Sequence, residues 1–346
     1  MRRFLPVLFL LIIAPVIAEL LYGTVSITQA SALLFVLPIY GAGALLIREL
    51  VRRSGRGWSS ILLLGVAYGT VEEGLVLQSF FNPTLYGAAH WGARIFGING
   101  VYVELQLVLH AVWSVAIPIL LTELIFPSIR RGTPYLGRFG LFVTALFYVI
   151  GVLVLMFSTH VMLAPGYWAP PVLLATAGLA VLVLVVIALS MLPKTSVSSE
   201  NQIAAPQPWI PFLVSGIGSF GYLALLIVLW RVEPAFAQWP LVLVPMLCAL
   251  FLAITVARLV RHWSQASNWG DRHLLALASG ALLAHTLVGF LDIQNTTTRL
   301  GLVVLGLIMM ILLSLLALHI RHKGRSAALA RSKDDESGRS DSRRPL

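Results

Sequence analysis

Long apolar runs alternate with short polar segments along almost the whole chain. The runs reach about twenty residues, which is the length a helix needs to cross roughly 30 Å of hydrocarbon. They lack the alternation of a transmembrane barrel, and an isolated strand cannot satisfy its backbone groups in lipid. The pattern therefore predicts an all-α, polytopic transmembrane helical bundle. Its ten predicted spans are 3–21, 31–50, 58–80, 102–126, 138–160, 169–191, 210–230, 239–260, 272–293 and 299–320.

Two polar segments interrupt this pattern. Residues 193–208 are polar and contain prolines, which predicts a cytoplasmic linker between a six-span half, residues 1–192, and a four-span half, residues 209–321. Residues 322–346 mix basic and acidic side chains with almost no apolar content, so we expect a disordered cytoplasmic tail.

Composition excludes a soluble protein. The chain is 58% hydrophobic and 11% charged with a mean hydropathy of +0.90, whereas soluble domains carry about 25% charged residues. The single cysteine, Cys248, excludes an intramolecular disulfide and a cysteine-based metal cluster, and we expect no cofactor and no metal. The net charge of +10 comes from basic residues at the ends of apolar runs, not from one patch. We therefore expect a multi-pass cell-membrane protein in contact with the lipid bilayer and not with nucleic acid.

The basic residues also predict the orientation. Of the 24 Lys and Arg residues, 21 fall on the side of the amino terminus, and only Arg94, Arg231 and Arg299 fall on the other. Because cytoplasmic loops are enriched in Lys and Arg, both termini should be cytoplasmic. The first span has a second interpretation, as a signal peptide with Val16-Ile17-Ala18 at its cleavage site.

The most informative residues are the ionisable groups far from either membrane surface. Glu72 and Glu73 lie deep in the third span, where each charged group costs about 2.5 kcal/mol or more. Gly65 and Gly69 share a face with Glu72 and let another helix approach closely, so Glu72 should face protein. Adjacent helical residues diverge by about 100°, so one site does not easily use both glutamates.

Three histidines are candidate partners for this pair. His110 in the fourth span and His285 in the ninth reach the depth of Glu72, about 10–12 Å below the outer surface at 1.5 Å per residue. His160 closes the fifth span nearer that surface. These groups predict either a buried hydrophilic site or a structural polar clamp between helices.

The segment GWSSILLLGVAYGTVEEGLVLQSFF, followed by VLHAVW, resembles the CPBP family (CAAX-protease and bacteriocin-processing, or Abi) of intramembrane glutamate proteases. The resemblance implies metal-independent hydrolysis of a membrane peptide, with Glu72 as the general base that activates water and Glu73 as its neighbour. It also implies that His110 carries the second histidine motif. The third histidine would be His160, by order and spacing, or His285, by depth.

The chain departs from the family pattern at several positions. Leu77 stands where an arginine is expected, Gln106 where a phenylalanine is expected, and Ala164 or Gly289 where Asn or Asp should follow the third histidine.

Three functions stay open on these residues. The first is a CPBP-like hydrolase, or a descendant that keeps the pocket without turnover. The second is a proton- or cation-coupled transporter or channel that uses Glu72 and Glu73. The third is a non-catalytic membrane scaffold. The loop 82–101 is either a lid over the site or an ordinary interfacial loop.

Overall fold

The structure is a computed structural model, and it describes residues 4–86, 92, 94–126, 131–194 and 204–341, with side chains described as far as Lys323. Within this part of the chain, nine helices are long and apolar enough to cross a membrane, and a further apolar helix is shorter. The predicted all-α, multi-span bundle is therefore confirmed.

The helices follow one another in chain order, with one small hairpin between two of them. They are α1 (Leu5–Leu20), α2 (Ile27–Arg53), α3 (Trp58–Val76), α4 (Gly100–Ile125), α5 (Arg138–Leu163), α6 (Pro171–Met191), α7 (Trp209–Val232), α8 (Leu243–Trp263), α9 (Asp271–Asp292) and α10 (Thr296–Asp341). The hairpin strands are β1 (Arg94–Ile95) and β2 (Ile98–Asn99), paired antiparallel between α3 and α4.

Ion pairs mark the two ends of the bundle. Arg131 binds Asp271 at the start of α9, with Nη1 2.5 Å from Oδ1, and this end carries most of the arginines. Arg231 binds Asp292 at the other end of α9, with Nη2 2.6 Å from Oδ1. We call these the arginine-rich end and the opposite end. That the arginine-rich end is cytoplasmic remains a prediction from the charge pattern.

The first helix belongs to the core. Leu10, Ala14 and Ile17 are almost completely buried, and a Cβ atom added at Gly41 of α2 would lie 2.3 Å from the carbonyl oxygen of Leu11. The two backbones therefore touch where α1 crosses α2.

A buried charge cluster closes the arginine-rich end. Arg48 is fully buried, and its Nε lies 3.0 Å from Oε1 of Glu123 on α4, while its Nη1 lies 3.1 Å from Oε1 of Glu49. Arg52 binds the second oxygen of Glu123 at 2.9 Å. The Arg48 guanidinium also stacks on Tyr135, 3.3 Å from the ring centroid. The sequence pattern did not indicate this pairing.

The linker and the tail stay predictions. Residues 195–203, which form most of the predicted linker, lie outside the described part of the chain. The tail predicted to be disordered overlaps the end of α10, but the side chains after Lys323 and residues 342–346 also lie outside that part.

Candidate functional site

Two neighbouring helices are locally widened where the candidate residues lie. The backbone of α3 is π-helical over Thr70–Val76, and that of α4 is π-helical over His110–Ala116. Short π-helical turns inside α-helices occur frequently at functional sites. Both of these turns carry ionisable side chains of the predicted set.

Glycines bring the two widened turns together. A Cβ atom added at Gly65 would lie 2.7 Å from the Cα atom of Ala111, and one added at Gly69 would lie 3.1 Å from the Cβ atom of His110. The prediction that these glycines admit a second helix is confirmed, and the helix is α4.

Glu72, Glu73 and His110 converge in one buried cluster, which we call the Glu–His cluster. His110 Nε2 lies 3.1 Å from Oε1 of Glu73, and Nδ1 lies 3.6 Å from Oε2 of Glu72. All three side chains are buried, with 2–5% of their surface exposed. The adjacent glutamates do serve one site, contrary to the expectation from helical geometry, because the two ring nitrogens of His110 face different carboxylates.

Glu73 is held in place by several hydrogen bonds. His110 Nε2–H donates to Oε1 of Glu73, and the Ser79 hydroxyl group contacts the other carboxylate oxygen. Ser79 Oγ also lies 3.0 Å from the backbone carbonyl oxygen of Glu73. With Leu77 in the place of the expected arginine, an imidazole and a hydroxyl group satisfy this carboxylate instead.

Glu72 is less restrained. Its hydroxyl neighbours are Tyr40 of α2 and Tyr68 of α3, which lies one turn before it. Oε2 of Glu72 and the Tyr68 hydroxyl group have no hydrogen-bond partner among the described residues. A buried polar atom without a partner is costly, so this oxygen is available to bind a water molecule or a substrate group.

Three parts of the chain surround the Glu–His cluster. Tyr86, in the segment that follows α3, lies within electrostatic range of Glu72 and Glu73. Buried apolar residues of α3, Leu64 and Ile61, follow toward the arginine-rich end. On the lipid side the wall is α6, whose Ala177 Cβ atom lies 3.3 Å from a Cβ added at Gly74.

His285 occupies a separate position. It stacks on Trp113 of α4 at a centroid distance of 5.2 Å and contacts the Tyr22 ring at 5.1 Å. Neither ring nitrogen has a hydrogen-bond partner in the described part of the chain. The shared depth of His285 and Glu72 thus does not bring the two side chains into contact, because depth does not specify the direction in which a side chain points.

Replacing His285 with Phe should leave the fold intact. The substitution removes an unsatisfied buried polar group, which costs about 1–3 kcal/mol, and keeps both aromatic contacts. We expect a thermal midpoint in detergent that is unchanged or raised. The matched control is His110→Phe, which should lower the midpoint because it removes the imidazole partner of the buried Glu73 carboxylate. Equal destabilisation by both substitutions would show that His285 has a polar partner.

His160 also lies away from the carboxylates. Its Nδ1–H donates to the carbonyl oxygen of Met156 at 2.8 Å, and its ring packs on Trp168 with the centroids 3.9 Å apart. No hydrogen bond or ion pair among the described residues joins it to Glu72 or Glu73. Of the five candidates, the structure brings together Glu72, Glu73 and His110.

Sequence reasoning missed the hydroxyl groups of the site. Tyr68 carried a signal, since it precedes Glu72 by four residues and shares its helical face. Tyr40 carried none, because it comes from another helix. Within the described residues no group of three or more His, Cys, Asp or Glu side chains is arranged to hold a metal ion.

A family model describing an uncharacterized membrane protein family matches residues 8–331. No curated protein and no solved structure matches the chain.

Proposed function

The chain belongs to this uncharacterized family of membrane proteins, and from its buried Glu–His cluster we propose that it is an intramembrane hydrolase of peptide bonds, similar to the CPBP glutamate proteases. The multi-pass architecture is common to this chain and to the CPBP glutamate proteases. The observation that carries the proposal is that Oε2 of Glu72 has no hydrogen-bond partner among the described residues, while the Tyr68 hydroxyl group is its neighbour and Nδ1 of His110 lies 3.6 Å from it.

The two glutamates have different roles in this proposal. Glu73 is bound by His110 and Ser79 and therefore fixes the imidazole between α3 and α4. Glu72 is the general base, since of the two adjacent glutamates it is the one whose carboxylate retains an oxygen without a hydrogen-bond partner among the described residues. The structural clamp and the reactive carboxylate are thus adjacent residues in one site.

The reaction is a direct attack by water. Glu72 removes a proton from the water molecule while the oxygen forms a bond to the peptide carbonyl carbon. The carbonyl oxygen becomes an oxyanion, which the hydroxyl groups of Tyr68 and Tyr40 stabilise by hydrogen bonding. When the C–N bond breaks, the proton passes from Glu72 to the leaving amine. The products are a new carboxyl terminus and a new amino terminus.

The substrate class follows from where the cluster lies. The carboxylates are inside the bilayer segment of α3, so the peptide must enter from the lipid. The helix on that side, α6, exposes most of its surface, and at Gly74 it meets α3 through a small alanine side chain. Displacement of α6 would open the cluster to a membrane-embedded peptide.

The apolar residues of α3 between the Glu–His cluster and the arginine-rich end favour hydrolysis over transport. A coupled transporter needs polar groups that continue across the membrane, but Leu64 and Ile61 of α3 are buried between the cluster and the arginine-rich end. These residues support a site that does not continue toward the arginine-rich end.

The test is hydrolysis with labelled water. The full chain is reconstituted in liposomes with a library of single-span peptides and incubated in H₂¹⁸O. We expect cleaved peptides whose new carboxyl terminus carries ¹⁸O by mass spectrometry. Liposomes prepared without the protein are the control. Absence of labelled products across the library would contradict the proposal.

A further inference from the structure

A cavity of about 640 Å³ opens at the arginine-rich end, far from the Glu–His cluster. Its walls are residues 205–208, the first residues of α9 and the last described turns of α10. The basic side chains that line it are Arg272, His319 and Lys323. They come from two helices and converge on one space.

The negative charge at this cavity is already compensated. Asp271 lines the cavity, but both of its oxygens bind Arg131, at 2.5 and 3.1 Å. Both ring nitrogens of the buried His273 also have hydrogen-bond partners. Its Nε2–H donates to the Pro206 carbonyl oxygen at 2.9 Å, and its Nδ1 accepts from the backbone N–H of Gly270. The charges of Arg272 and Lys323 therefore remain for a ligand, and the positive end of the α9 dipole adds to them.

An apolar strip leads from the cavity toward the middle of the membrane. Leu315 and Leu312 precede His319 by one and two turns on the same face of α10, and they are 57% and 60% exposed. Leu124 and Ile320 contribute apolar surface to the cavity itself. A basic cavity above an exposed apolar strip matches a molecule with an anionic head and long acyl chains, and it does not match a free anion.

We propose that this cavity binds the headgroup of an anionic phospholipid, whose acyl chains lie along α10. Basic pockets between transmembrane helices bind such headgroups, and each basic residue at the surface contributes to the attraction. The site is independent of the proposed hydrolase activity, because none of its residues contacts the Glu–His cluster.

The test compares lipids on the purified full chain in a neutral detergent. Native mass spectrometry measures binding of phosphatidylglycerol and of phosphatidylcholine with the same acyl chains, and inorganic phosphate serves as competitor. We expect tighter binding of phosphatidylglycerol. Replacing both Arg272 and Lys323 with Gln should weaken it about 30-fold, at an unchanged thermal midpoint.

The matched control replaces Arg258 and Arg261 with Gln. Both are exposed arginines of α8 outside the cavity lining, so this variant also loses two charges. We expect its phosphatidylglycerol affinity to stay within about twofold of the original. Equal weakening in both double variants, or equal binding of the two lipids, would overturn the proposal. Displacement of the lipid by inorganic phosphate at equal concentration would assign the cavity to a free anion instead.

Discussion

Replacement of Glu72 with Gln should abolish peptide hydrolysis at nearly unchanged stability. Glutamine keeps the size of the side chain but cannot accept the proton from water. General-base catalysis contributes about 10²- to 10⁴-fold, so we expect the rate to fall by that factor. The measurements are the yield of ¹⁸O-labelled product and the thermal midpoint of the same preparation.

Glu73→Gln is the matched control for this prediction. Glu73 differs from Glu72 in its partners, since it binds both His110 and Ser79. A neutral amide at this position removes a charge-assisted hydrogen bond inside the protein, so we expect Glu73→Gln to lower the thermal midpoint. If Glu72→Gln retained full activity, or lost as much stability as Glu73→Gln, the role of Glu72 would be structural and not catalytic.

Replacement of Arg48 with Met should destabilise the protein by about 3–5 kcal/mol, because loss of one member of a buried ion pair leaves the other charge without compensation. Arg48 is completely buried and binds Glu123 and Glu49 directly. Methionine retains much of the apolar volume, so the effect reports on the charges. The measurement is the free energy of unfolding in detergent, followed by circular dichroism.

Two variants control for this effect. Arg53 lies on the same helix with 30% of its side chain exposed, and its contact with Glu49 is longer, at 3.7 Å. Arg53→Met should therefore cost less than about 1 kcal/mol. Combining Arg48→Met with Glu123→Gln should recover part of the lost stability, since the uncompensated carboxylate is removed as well. Equal effects of Arg48→Met and Arg53→Met would show that burial of Arg48 is not what makes it important.

Much of the architecture could be predicted because each span satisfies its own backbone. The helix over residues 210–230, for example, is observed as Trp209–Val232, since lipid imposes helix on any apolar run of that length. The first span, predicted over 3–21, is likewise observed as an apolar helix over Leu5–Leu20.

The candidate site was predicted only in part. Glu72, Glu73 and His110 were predicted because buried ionisable groups are rare in a transmembrane helix. Gly65 and Gly69, which bring α3 and α4 together, were also predicted from the sequence. Tyr40 was not found, because it reaches the site from a helix whose rotation about its axis depends on packing. The π-helical turns, which change the direction of both glutamates, also left no signal in the sequence pattern.

By itself, the sequence determined that the chain is a multi-span helical membrane protein and which carboxyl groups lie deep in an apolar helix. Both follow from the free energy of transfer into lipid, which depends on each segment alone. Only the tertiary structure decided that His110 and not His285 joins the glutamates, and that Arg48 pairs with Glu123 across 75 residues. Those contacts depend on how helices are rotated and packed against one another, which is a property of the whole bundle.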